Sequence, residues 1–181
     1  RQRRLSDIHP VKPNKENHML KRASLILMAS LLSPLPLAAQ ELTTWGEAGG
    51  WNVMVDSSLG NGCLIQTSFT DGSVVRIGID AAQGAGYVTA FNENWGDIEV
   101  GAMYPISFDV DGEMYEGQAK GIWLNDVPGA DIYFDNEDFM FDLAARQTLT
   151  LYHDGTEVMA IDLTGTMAGL EEVLVCQDAQ N

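Results

Sequence analysis

Cys63-Leu-Ile-Gln-Thr-Ser-Phe69, then Asp71-Gly72, then Ser73-Val-Val-Arg-Ile-Gly-Ile79 is the stretch whose reading decides the fold. Two extended apolar runs flank an Asp-Gly pair. That is a strong short-range hairpin signature, because a type I′ turn needs positive φ at both central residues and few residue types accept it. The arrangement returns twice. Tyr104-Pro-Ile-Ser-Phe-Asp-Val110 and Glu113-Met-Tyr-Glu-Gly-Gln-Ala-Lys120 flank Asp111-Gly112, and Thr148-Leu-Thr-Leu-Tyr-His153 and Thr156-Glu-Val-Met-Ala-Ile-Asp-Leu163 flank Asp154-Gly155. Single strands are expected at 51–56, 87–92 and 130–134, giving about nine, mostly antiparallel. The fold class expected is mainly β: a single-domain antiparallel β-sandwich or partly closed barrel.

Two short helices interrupt the pattern toward the C-terminus. Asn136 is placed to cap a helix over 137–146, with acids in its first turn and Arg146 near its end, as the helix dipole prefers. Met167, Leu170, Val173 and Leu174 fall at spacings of three and four, one face of a helix over 166–175. Gly169 weakens that helix and points to about two turns.

Upstream, Met19-Leu20-Lys21-Arg22 precedes an apolar run over 23–32 and then Pro34-Leu35-Pro36-Leu37-Ala38-Ala39-Gln40. Cations, a short apolar core and a small-residue end are the three regions of a secretory signal peptide. The run falls short of the ~20 apolar residues of a membrane-spanning helix. The expected organisation is therefore upstream sequence over 1–18, a signal peptide over 19–39 cut after Ala39, and one β-rich domain over 40–181. The expected location is periplasmic or secreted, with no stable membrane insertion after cleavage.

Seven of the ten basic residues and two of the 26 acids precede residue 40, so the remainder carries 24 acids against Arg76, Lys120 and Arg146, a formal charge of −21. Such a surface repels nucleic acid and anionic membranes. Two readings stay open: a solvated surface suited to salty surroundings, or an acidic face that recruits a cationic protein, an envelope component or metal ions. Cys63 and Cys176 are the only cysteines. In an oxidising compartment such a pair most simply forms a disulfide.

No constellation specifies a reaction. His153 is the one histidine after residue 40 and sits just before an Asp-Gly turn, an exposed place. General-base work there would need a nucleophile and an orienting acid from elsewhere in the chain. Neither a G-x-S-x-G elbow nor an H-E-x-x-H helix occurs. Zinc lacks ligands, and Gly60-Asn-Gly62 and Gly84-Ala-Gly86 lack the lysine and strand-to-helix context of phosphate loops. No cofactor is expected. Asp131, Asp135, Glu137 and Asp138 crowd a strand-to-helix junction and are weak calcium candidates, although helix capping accounts for them as well. The acids at 109–116 do not have calcium-loop spacing. Trp45, Trp51, Trp95 and Trp123 are read mainly as packing residues, with Trp95-Gly96 the best candidate for exposure.

Trp45-Gly46, Trp51-Asn-Val53, Gly60-Asn-Gly-Cys63 and the closing run from Gly155 through Gly165 to Leu170, behind a signal peptide, resemble small secreted alphaproteobacterial proteins of the invasion-associated locus B family. The resemblance covers the two ends of the domain. It implies a β-rich periplasmic or exported protein and supplies no catalytic residues. The expected function is a non-enzymatic periplasmic or secreted binding domain for a cationic envelope protein. The alternative is a small carboxylate-dependent hydrolase acting on envelope glycans, since 24 acids offer many pairs at a suitable separation.

Overall fold

The computed structural model describes residues 42–134 and 138–180. The expected signal peptide, Asp135 and Glu137 lie outside the described residues, as does the side chain of Asp138. Ten strands are present: β1 (Leu42–Ala48), β2 (Trp51–Asp56), β3 (Gly62–Ser68), β4 (Val74–Asp80), β5 (Ala85–Phe91), β6 (Met103–Val110), β7 (Glu113–Leu124), β8 (Val127–Phe134), β9 (Thr148–His153) and β10 (Thr156–Asp162). Helix α1 (Asp138–Ala144) follows β8, and α2 (Thr166–Gln180) follows β10. Among the described residues, no helix is long and apolar enough to cross a membrane.

All ten strands join one antiparallel sheet in the order β1-β2-β3-β4-β5-β8-β7-β6-β9-β10, open between β1 and β10. The mainly β architecture with two C-terminal helices is the one expected. Chain order breaks twice: β5 pairs with β8, the chain crossing by a loop to β6, three places further on, and β6 pairs with β9, the chain returning from β8 by way of α1.

Side-chain alternation sorts the sheet into two faces. On one, Val53, Ile65, Ile77, Val88 and Ile132 stand in register across five adjacent strands, all buried. Phe108, Leu151 and Met159 continue this face across β6, β9 and β10. Both halves contribute to one apolar cluster, so the sheet coils around a common core. Helix α2 fills its remaining side with Leu170 and Val173. It reaches Gln180, well beyond the two turns expected. Gly169, read as weakening the helix, is a packing requirement, because a β-carbon there would stand 2.9 Å from Ile65 Cγ2. Cys176 of α2 is bonded to Cys63 of β3, with Cα atoms 6.1 Å apart. Beside them the Cys63 N–H donates to Gln177 Oε1 at 2.9 Å.

The turns follow local chemistry with one exception. Asp111-Gly112 and Asp154-Gly155 have positive φ at both central residues and join paired strands directly. At the first pair only Gly72 has positive φ. There Phe69 and Ser73 close the loop through backbone hydrogen bonds, and Asp71 accepts from the Ser73 N–H and hydroxyl. The connection is therefore longer than a type I′ turn. Asn125-Asp126 makes an unexpected two-residue turn, both residues at positive φ, between β7 and β8.

Candidate functional site

The crossover from β5 to β6 builds a cleft. The loop leaves Phe91 through a short 3-10 turn, Glu93–Trp95, capped by the Asn92 side chain, which accepts from the Asn94 N–H at 2.8 Å. Three contacts tie it down. Trp123 Nε1 donates to the Ile98 carbonyl at 2.6 Å, the Glu99 N–H donates to the Tyr104 hydroxyl at 2.8 Å, and Gly101 donates to the Gly121 carbonyl at 2.8 Å. Gly121 is needed there, since a β-carbon would strike the Glu99 carbonyl and Ile98.

Between this loop and the ends of β9 and β10 lies a cavity of about 420 Å³. Trp95, Ile98, Leu151 and Val158 give it apolar walls, and Asp97, Tyr104 and His153 stand at its polar positions. A β-bulge aims one wall: the β9–β10 register steps from Glu157 opposite Tyr152 to Met159 opposite Leu151, leaving Val158 unpaired and turned into the cleft. Asp97, Glu99 and Asp154 are exposed acids on or beside this site.

His153 lines this cleft and stays partly open to solvent, its side chain 39% exposed. Its Nδ1 lies 2.9 Å from the Pro105 carbonyl, which can only accept, so Nδ1 carries the proton. Nε2 then faces the Asp154 carboxylate at 3.7 Å, and Tyr104 packs edge-on against the ring. Trp95 is half-buried and lines the cleft, whereas Trp45 and Trp123 are the more exposed tryptophans, at 40% and 43%. Val158 and Leu151 carried no distinguishing sign in the sequence, because only the β10 bulge and the crossover loop bring them to one place.

The opposite face of the sheet carries a polar row, with Gln66, Arg76, Thr89, Asp131 and Lys120 in register across β3, β4, β5, β8 and β7. Arg76 Nε donates to Gln66 Oε1 at 2.8 Å, its guanidinium lies over the Phe91 ring, and burial lowers its pKa against the pull of Tyr87, Asp56 and Asp131. Thr89 donates to Asp131, the calcium candidate whose side chain is described. Burial pushes the Asp131 carboxyl above its ordinary value, opposed by the Thr89 hydrogen bond, Lys120 and Arg76. Burial also raises the Tyr87 phenol, and it pushes Tyr133 up to about 12, helped by Asp131 and Asp80. The cavity within this cluster is only about 50 Å³. Among the described residues, no group of three or more His, Cys, Asp or Glu side chains is arranged to hold a metal ion.

No protein-family model matches the chain, and no curated protein matches it. Among solved structures it is similar to the crystal structure of invasion associated protein B from Bartonella henselae, with a TM-score of 0.55 over 73% of this chain and 96% of that one at 14% identity. At that identity the likeness is one of fold, and the fold is the one that the resemblance at the two ends of the domain implies.

Proposed function

We propose that this chain is a non-catalytic, extracytoplasmic binding domain whose cleft at Trp95 and Val158 seats an apolar side chain of a cationic envelope protein. The observation that carries this reading is the pairing of an apolar cavity of about 420 Å³ with a rim holding Asp97 and Asp154. Ligand sites are typically concave and mostly apolar, with a few polar groups that fix orientation. A formal charge of −21 over residues 40–181 adds long-range attraction for a cationic partner. The secretory leader read at 19–39, the Cys63–Cys176 pair and the fold shared with invasion associated protein B support a place outside the cytoplasm.

Calorimetric titration of residues 40–181 with a short peptide of alternating Lys and Leu tests the reading. Binding should weaken as salt rises and weaken again in Trp95→Ala, while the acidic counterpart of the peptide should not bind. A wild-type affinity equal to that of Trp95→Ala would refute the cleft as the site.

A further inference from the structure

The cleft opens beside an edge of the sheet. Among the described residues β10 pairs with β9 alone, and it supplies Val158 to the cavity wall. Beyond the bulge, Met159 and Ile161 are buried while Ala160 and Asp162 are exposed. The Leu163 N–H donates to the Gln147 carbonyl at 2.9 Å, which sets the hydrogen-bonding phase of the pair. In an antiparallel ladder that phase alternates, so Met159 and Ile161 direct their backbone groups at β9, and Ala160 and Asp162 direct N–H and C=O away from the sheet. The bulge at Val158 interrupts the edge on its other side, confining the regular free ladder to these residues.

We infer that the partner binds as an extended segment that adds to β10 as an antiparallel eleventh strand, with an inward apolar side chain turned toward the Val158 cleft and the intervening cationic ones turned toward Asp162. This rests on the proposed reading of the cleft and specifies how it is occupied. A strand added to β10 runs ~4.8 Å from it, so the inward side chain opposite Met159 arrives next to Val158, which lines the cavity. Its outward side chains stand next to Ala160 and Asp162. The Asp162 carboxylate is fixed there by the Thr164 N–H at 2.8 Å. The occupant is thus a protein segment alternating apolar and cationic residues, which matches both the apolar walls and the acids.

The register predicts which peptide amides matter. In an antiparallel addition the residues opposite Ala160 and Asp162 share their outer face and exchange both hydrogen bonds with them, so in the Lys–Leu peptide the Lys amides pair with β10 and the Leu amides do not. N-methylation of the Lys amides should weaken binding by roughly tenfold, the worth of about one hydrogen bond, and N-methylation of the Leu amides should leave it unchanged. Ala160→Pro removes an outward N–H without touching the β9 ladder, a position where an edge strand tolerates proline, and should weaken binding similarly. Bound peptide should slow hydrogen exchange at the Ala160 and Asp162 amides. If the peptide binds wild type, is lost in Trp95→Ala, and is indifferent to Lys N-methylation, strand addition is overturned while the cleft reading stands. If no peptide binds, or binding ignores Trp95→Ala, both fall. The N-methylated peptides keep the inference testable should Ala160→Pro fail to fold.

Discussion

Gly49 and Gly165 lie backbone against backbone: a β-carbon on either would fall on the carbonyl oxygen of the other, and both have positive φ. The contact joins the β1–β2 turn to the turn between β10 and α2, the two ends of the open sheet. Trp51 reinforces it by donating from Nε1 to the Thr164 carbonyl at 3.1 Å. Gly165→Ala therefore combines left-handed strain with a backbone collision that no side-chain rotation relieves, and should destabilise by about 2–4 kcal/mol. Gly50→Ala has the same kind of φ but open space around it, so it should cost about 1 kcal/mol. Urea denaturation of the two variants checks the contrast, and equal losses would remove the seam from the account.

The Cys63–Cys176 bond closes a loop of 113 residues and anchors α2 on β3. Constraining the unfolded chain over that length stabilises by about 4–5 kcal/mol on the chain-entropy account. Cys63→Ser or Cys176→Ser should lower the melting temperature by well over 10 °C for a domain of this size, at roughly 4 °C per kcal/mol. Protein folded in an oxidising compartment should show no alkylatable thiol under non-reducing denaturation, and two free thiols would be the contrary result.

What could be read in the sequence was what adjacent residues determine. Asp111-Gly112 and Asp154-Gly155 announced their hairpins because the turn's φ requirement is met by the two residues themselves. Strand β1 carries no strand signal of its own, since Leu42-Thr-Thr-Trp-Gly-Glu-Ala48 is a half-exposed edge without apolar alternation. The length of α2 is not legible locally, because Gly169 weakens an isolated helix and its value as a contact for Ile65 exists only after folding. The pairing of β5 with β8 is a non-local choice, and the cleft depends on it. Trp95, Asp97, Ile98, Tyr104, Leu151 and Val158 come together only through that crossover and the β10 bulge. His153 was conspicuous as a solitary histidine, but nothing adjacent to it marks a wall of a cavity.

Asp131 makes stability depend on pH in a predictable direction. Burial holds its carboxyl above the ordinary 3.8, with Thr89, Lys120 and Arg76 pulling it back. Ionisation is then costlier in the folded state than in the unfolded one. The penalty is absent below the unfolded value, grows as pH rises through the folded one, and is fully present above it. Asp131→Asn, which does not ionise, should gain stability relative to wild type across that window. Asp71 and Asp162, held low by Ser73 and Thr164, act in the opposite direction but equally in both proteins, so they cancel in the difference. Denaturation series from about pH 3 to about pH 7 measure it, and a difference that is flat or falls with pH contradicts the assignment.

Trp123 is exposed, yet its indole N–H holds the crossover loop at the Ile98 carbonyl, 25 residues back along the chain. Loss of one exposed hydrogen bond costs only about 1 kcal/mol, so Trp123→Phe should change the melting temperature by a few degrees. Its effect on the loop should be larger, because the tether and the Gly101–Gly121 and Glu99–Tyr104 contacts together position Ile98 at the cleft. Amide exchange at Glu99 and Gly101 should quicken while exchange at Ile65 and Ile77, deep in the core, stays slow. Affinity for the Lys–Leu peptide should fall several-fold, as a wall of its cavity loses definition. Unchanged loop exchange with weakened binding would instead place Trp123 in direct contact with the partner, and unchanged binding with quickened exchange would separate the loop from the site.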